Sequence, residues 1–242
     1  MLINIPQIVH KVINDIDLNQ KILEHIKMKD FDKQEINSLE DRDRINLINS
    51  LIGVKSVNLI GTTDKIKTSN LAIISSLFHL GASPALFGFV IRPDTVTRDT
   101  LNNLREHPYL TVNQVHQGII EKAHQTSARY DSDKSEFKEC LLTEEFYGDH
   151  PVPFVKESLI KFGAKFIREI KVEENGTHII VCEITSIHLP NDVLKDNFYI
   201  DITKSNSVGV SGLDTYLELK NIGKLSYAKP GKELEWIDKS TN

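Results

Sequence analysis

Arg92, Thr97, Arg98 and Thr100 crowd into one nine-residue run, Arg-Pro-Asp-Thr-Val-Thr-Arg-Asp-Thr. Arginine offers a forked, permanently charged donor to phosphate oxygens, and threonine hydroxyls complete a cage around them. Pro93 stiffens the chain at the loop entrance, so less freedom is lost when an anion docks. Upstream, Thr68-Ser69-Asn70 and the pair Ser75-Ser76 interrupt an otherwise apolar segment. Their backbone donors and acceptors suit the polar edge of a planar ring. A phosphate anchor beside an apolar wall matches a ligand with a phosphate at one end and a flat hydrophobic ring at the other, the shape of flavin mononucleotide. Each feature also has a plainer reading. The loop could be a solvated turn leading into a helix capped by Thr97 or Asp99. The serine pair could be a bulge or strand end where small residues relieve crowding.

Other chemistries find less support. His79, His116 and His124 form no His-x-x-x-His or His-Glu-x-x-His pattern, so no metal site is expected. No spacing of carboxylates singles out a general acid–base pair. No Gly-x-Ser-x-Gly elbow, Walker loop or Gly-x-Gly-x-x-Gly fingerprint occurs. Cys140 and Cys182 are the only cysteines and stand far apart, which argues for structural thiols and a reducing cytoplasm. A net charge of −5 disfavours nucleic acid and anionic membrane as partners. No apolar run reaches the roughly 20 residues that span a bilayer.

The elements that must position these residues read as mainly β. Strands are expected at Val57–Thr62, Ile66–Ile74, Ala85–Ile91 and Tyr109–Val115, with a turn at Thr63-Asp64-Lys65. The Leu71–Ile74 and Ala85–Ile91 runs are joined through the serine pair and a Gly-Ala-Ser-Pro turn. Thr100–Glu106 reads as a helical turn, and Gly118–Arg129 as helical. Phe166–Glu173 and His178–Ile187 form a hairpin, with a type I′ turn expected at Glu174-Asn-Gly-Thr. Short strands follow at Phe198–Ile202 and Val208–Val210. Apolar spacing predicts one or two helices over 6–29, then a polar linker over 30–43; Asp41–Leu51 fits either a short helix or a strand. Tyr130–His150 is charged, aromatic and aperiodic, the sort of long excursion that covers a site. Closely spaced strands with a helical crossover or two indicate a β-barrel with helical additions. The division expected is a helical extension over 1–40, a barrel domain over 41–230 and a tail over 231–242.

In order and spacing, SNLAIISSLFHLGASPALFGFVIRP, TxRDTLxN and YLTVNQVH resemble the flavin reductase-like family of the FMN-binding split barrel. The bacterial branch sharing the runs NLIGT, NLA, SS, HLG and RP is the nearest likeness. It extends from about Ile45 to Pro230 and takes in AHQTSARYDSDKSEF and LSYAKP. The resemblance implies a mainly β (α+β) fold, a six-stranded Greek-key barrel, usually a homodimer with FMN near the subunit interface. It places Asn70, Ser75, Ser76 and Phe78 against the isoalloxazine. The family's Arg-x-Thr phosphate loop falls on Arg98-Asp99-Thr100, with Thr97 and Arg92 adjacent and His116 as a further contact. His124–Phe137 corresponds to a region near the flavin or nicotinamide face. The implied activity is an NAD(P)H-dependent flavin oxidoreductase that passes a hydride to the flavin and electrons to a second acceptor. No side chain is then required as a catalytic acid or base. A non-enzymatic FMN-binding redox sensor or carrier, and a relative that has lost flavin, are the alternatives.

Overall fold

The computed structural model describes residues 27–239. The helices expected over 6–29 lie outside the described residues, except that 27–29 are irregular. The chain divides into one compact unit through Ile45 and a second from Asn46 onward.

The stretch expected to be a polar linker instead starts helix α1 (Lys33–Ser38). Asp32 and Glu35 form a reciprocal capping box, each side chain accepting the other's backbone N–H at 2.8 Å. Asp41–Leu51 resolves as helix α2. Asp41 and Asp43 in its first turn complement the positive helix end.

The larger unit is mainly β with helical additions. Its strands are β1 (Lys55–Ser56), β2 (Asn58–Thr63), β3 (Ser69–Ile74), β4 (Phe78–Ala82), β5 (Ala85–Ile91), β6 (Tyr109–Gln114), β7 (Glu144–Glu145), β8 (Phe154–Val155), β9 (Lys161–Val172), β10 (Thr177–His188), β11 (Val208–Ser211), β12 (Thr215–Glu218), β13 (Gly223–Leu225) and β14 (Trp236–Lys239). Seven of them form one antiparallel sheet in the order β3-β2-β6-β9-β10-β5-β4. Among the described residues they are accompanied by the α-helices α3 (Asp99–Glu106), α4 (Ile120–Gln125) and α5 (Glu136–Glu139).

Every residue of β2 is buried, which explains why Asn-Leu-Ile-Gly-Thr-Thr shows no apolar–polar alternation. Neighbouring side chains on a strand face opposite ways, so β2 serves two cores. Leu59 joins Leu71, Val115, Ile119 and Phe137. Ile60 joins Phe89, Leu104, Leu110, Val112 and Ile180. Leu101 and Leu104, one helical turn apart, dock α3 on this second core.

Three local expectations give way. The link between β3 and β5 is not a plain connection but contains β4, an exposed edge strand. Phe78 of β4 stands opposite Gly88 of β5, and its ring covers the place a side chain would take. A Cβ at position 88 would come within 2.5 Å of that ring. The β9–β10 hairpin exists, but Glu173–Gly176 is a four-residue loop in which only Gly176 has positive φ, so it is not a type I′ turn. Residues 198–202 are not a strand: Phe198 has φ +61°, and an isolated Leu194–Ile200 bridge is all the pairing they make. Pro230 lies in the loop that joins β13 to β14.

Both cysteines are free and buried. Burial pushes the Cys182 thiol up to about 12 and also raises Cys140. Only the thiolate is a good nucleophile. Native protein at pH 8 is therefore expected to leave a thiol-reactive chromophore uncoloured, and denatured protein to titrate both; reaction of Cys182 in the native state would contradict this packing.

Candidate functional site

Asn70 is where the two sequence constellations meet. Pairing of β2 with β3 sets Thr62 opposite Asn70, and α3 brings Thr100 to the same point. Asn70 Nδ2 donates to Thr62 Oγ1 and to Thr100 Oγ1, each at 3.1 Å. Asn103, one turn along α3, also donates to Thr62 Oγ1 at 3.1 Å. Thr62, Thr100 and Asn103 are buried, so this knot ties β3 to the beginning of α3 through bonds shielded from water.

Arg98 occupies the position before α3, where neither Thr97 nor Asp99 acts as the cap. No side chain caps this helix start. The first-turn N–H groups of a helix lack intrahelical partners and carry a partial positive charge, so they favour an anion. Arg98 Nε donates to the Pro93 carbonyl at 3.2 Å, bracing the loop. Its terminal nitrogens have no partner among the described residues. Arg92 and Thr97 flank it and are exposed. The chemistry of this donor set fits a phosphate.

The opposite wall is the free edge of β3. Leu71 N–H points away from β2 and donates to Glu136 Oε2 of α5 at 2.9 Å. Alternation along a strand then directs the Ile73 N–H to the same open side. Ser69 is held by Ser135 at 2.8 Å and by Glu144. The 130–150 excursion therefore docks along the start of this edge and leaves the later part open. A cavity of about 350 Å³ opens beside the β2–β3 turn, lined by Lys67, Ser69, Glu144 and His150 among others. Arg98 and Thr100 do not line it.

Ser75 lies half-buried in the bend after β3. Ser76 follows the strand-end reading: its hydroxyl donates to Val90 C=O at 3.1 Å and accepts from Val90 N–H at 3.0 Å. Its side chain is thus occupied inside the sheet. Phe78 is 37% exposed on the β4 edge. His116 is engaged elsewhere. Its Nδ1 accepts from Gly118 N–H at 3.1 Å, leaving the Nε2 proton for the Glu157 carbonyl at 2.9 Å.

Burial, opposed by the Leu71 N–H and reinforced by nearby Asp99, holds the Glu136 carboxyl above its ordinary range. The folded state thus holds this proton more tightly than the unfolded chain. Its contribution to stability is present at acid pH and is lost as pH rises through the folded pKa. Glu136→Gln keeps an acceptor for Leu71 without the buried charge. The variant is expected to melt higher than the parent at pH 7, with the gap closing as pH falls to about 4. A gap that widens on acidification would contradict the assignment.

Sequence reasoning did not find Thr62, Asn103 or Glu136. Asn103 carries a faint signal, since it falls one helical turn from Thr100. Thr62 and Glu136 carry none, because only strand register and docking of α5 place them.

Known proteins share this fold. A split-barrel protein of Shewanella frigidimarina NCIMB 400, assigned to the flavin reductases, is 43% identical, with a TM-score of 0.80 over 83% of this chain and 100% of that one. Nitrilotriacetate monooxygenase component B of Bacillus cereus superposes with a TM-score of 0.73 at 20% identity, covering 83% of this chain and 100% of its own. The NADH:FAD oxidoreductase SgcE6 of Streptomyces globisporus C-1027 shares the fold at 12% identity, with a TM-score of 0.61 over 81% of this chain and 100% of its own. The family profile described as Flavin reductase like domain matches residues 53–205, which include β2, β3 and the whole Arg92–Thr100 loop. With that match spanning the Asn70–Thr100 knot and the free edge of β3, the chain belongs to the flavin reductase-like family and has its split-barrel fold.

Proposed function

We propose that this protein is an NAD(P)H-dependent flavin oxidoreductase that binds FMN between the start of α3 and the free edge of β3. The observation that carries the reading is the uncapped helix start bearing Arg98, tied to β3 through Asn70 and Thr100. Arg98, Thr97 and the first-turn N–H groups of α3 hold the phosphate, and Arg92 adds positive charge at the rim. The edge of β3 near Ile73 and the Ser75-Ser76 backbone meet the polar edge of the ring. Phe78 supplies an apolar face, and His116, whose ring nitrogens are both engaged within the fold, offers only ring surface. The chemistry supplied by bound FMN is hydride acceptance from NAD(P)H and electron delivery to a second acceptor. The chain's own residues orient the ring and exclude water; none is assigned as acid or base.

The working form is proposed to be a cytoplasmic homodimer built from the 41–230 domain, with 1–40 as an extension and 231–242 as a tail. Leu80 and Phe78, exposed on β4 beside the ring segment, give it an apolar surface to bury. The test of function is anaerobic addition of NADH, then NADPH, to FMN-loaded protein while the visible spectrum is recorded. Bleaching of the flavin absorbance by either nucleotide is the expected result. Bound FMN that neither nucleotide bleaches would establish the redox sensor or carrier instead.

A further inference from the structure

Beneath the Arg92–Arg98 loop lies a second charged group that the flavin contacts do not use. His178 of β10 is 2% exposed and stands beside Ile91, the last residue of β5 before the loop. Its Nδ1–H donates to Glu169 Oε1 of β9 at 2.5 Å. On the other side of the ring, Nε2 lies 3.5 Å from Asp94 Oδ1 and has no hydrogen-bond partner. Arg105 of α3 closes the group. It donates to both oxygens of Glu169, at 3.0 and 2.8 Å, and reaches Asp94 at 3.9 Å. Lys171, opposite His178 in the β9 register, is exposed.

The chemistry of this arrangement depends on one proton. Glu169 requires a hydrogen on Nδ1, so the state of Nε2 decides what Asp94 faces. In the imidazolium form an N–H points at the Asp94 carboxylate, and two cations balance two carboxylates. In the neutral form a buried lone pair confronts a negative charge, which is unfavourable. Asp94 follows Pro93, the residue whose carbonyl accepts from Arg98 Nε. The setting of Asp94 is therefore transmitted within one residue to the arginine at the start of α3.

We propose that His178 is a positioning residue for FMN binding: protonated, it clasps Asp94 and holds the Pro93–Arg98 loop where Arg98 meets the flavin phosphate. The proposal rests on the phosphate-loop reading above. Its sign is fixed. The clasp is complete while the imidazole carries both protons and is lost when Nε2 gives its proton up.

The test compares FMN affinity of the full chain with that of Asp94→Asn and His178→Asn between about pH 5.5 and 8.5, where an imidazole titrates. Asp94 is half-exposed, so its variant is expected to fold even if the buried histidine's does not. The phosphate's own ionisation affects every protein alike and cancels in the ratio at each pH. Near the acid limit Asp94→Asn is expected to bind FMN about three-fold more weakly than the parent, the scale of a partly exposed ion pair. The ratio should fall as pH rises, toward the share that the Arg105–Asp94 pair supplies at every pH, while riboflavin, which has no phosphate, distinguishes the two proteins at neither pH. A ratio that stays constant across the range overturns the clasp. Failure of Arg98→Ala to weaken FMN binding at any pH overturns the phosphate-loop reading instead.

Discussion

Arg98→Ala is expected to weaken FMN binding by at least about 1.5 kcal/mol, or roughly ten-fold in Kd, the low end for a charged hydrogen bond. The loss should be confined to the phosphate. Riboflavin, lacking that group, should bind parent and variant alike. Arg98 is only partly buried, and the one bond its side chain makes among the described residues is the brace to Pro93, so stability should change little. Arg98→Lys keeps the charge but not the fork, and should fall between the two. Equal FMN affinity in parent and Ala variant, measured by fluorescence titration, would remove Arg98 from the site.

Thr62→Val should have the largest effect on the fold beneath the site. Thr62 is fully buried, and its hydroxyl accepts from Asn70 and Asn103. Valine has nearly the same shape but no acceptor. It leaves the buried Asn103 amide unpaired and removes one of the two bonds that orient Asn70. At about 1–3 kcal/mol for each buried polar group left unsatisfied, the expected loss is about 2–4 kcal/mol, read from the shift of the denaturant midpoint. Thr62→Ser keeps the hydroxyl and should lose about 1 kcal/mol, the value of a methyl group in the core. A valine variant as stable as the parent would show that the knot does not hold α3 to β3.

Much of the fold was legible because its signals are local. Apolar runs between turn residues located β2, β5, β6 and β10 to within a residue; β9 begins at Lys161, five residues before the expected start. Helix α2 was ambiguous because Ile45, Leu47 and Ile48 fit either period; its acidic first turn favours the helix. Strand β4 escaped notice because Phe78, His79 and Leu80 sit on an exposed edge, where no alternation of burial marks a strand. The Asn-Gly pair suggested a type I′ turn, but register β9–β10 leaves four loop residues rather than two.

The candidate site was readable to the same degree. Arg92, Thr97, Arg98 and Thr100 fall within nine consecutive residues, so a phosphate loop stands out in the sequence. What holds that loop does not. Thr62, Asn70, Thr100 and Asn103 come from three elements, and the Asp94–His178–Glu169–Arg105 group from four separate segments. Their partnership exists only once β2 pairs with β3 and β10 with β9. Buried polar residues scattered this way look like ordinary interruptions of apolar strands until the register is known.

A crystal structure of the protein soaked in FMN tests the central claim most directly. The expected density places the phosphate against the Arg98 guanidinium and the first-turn amides of α3, with the ring along the outer edge of β3. FMN bound elsewhere, with that corner filled by solvent, would contradict it.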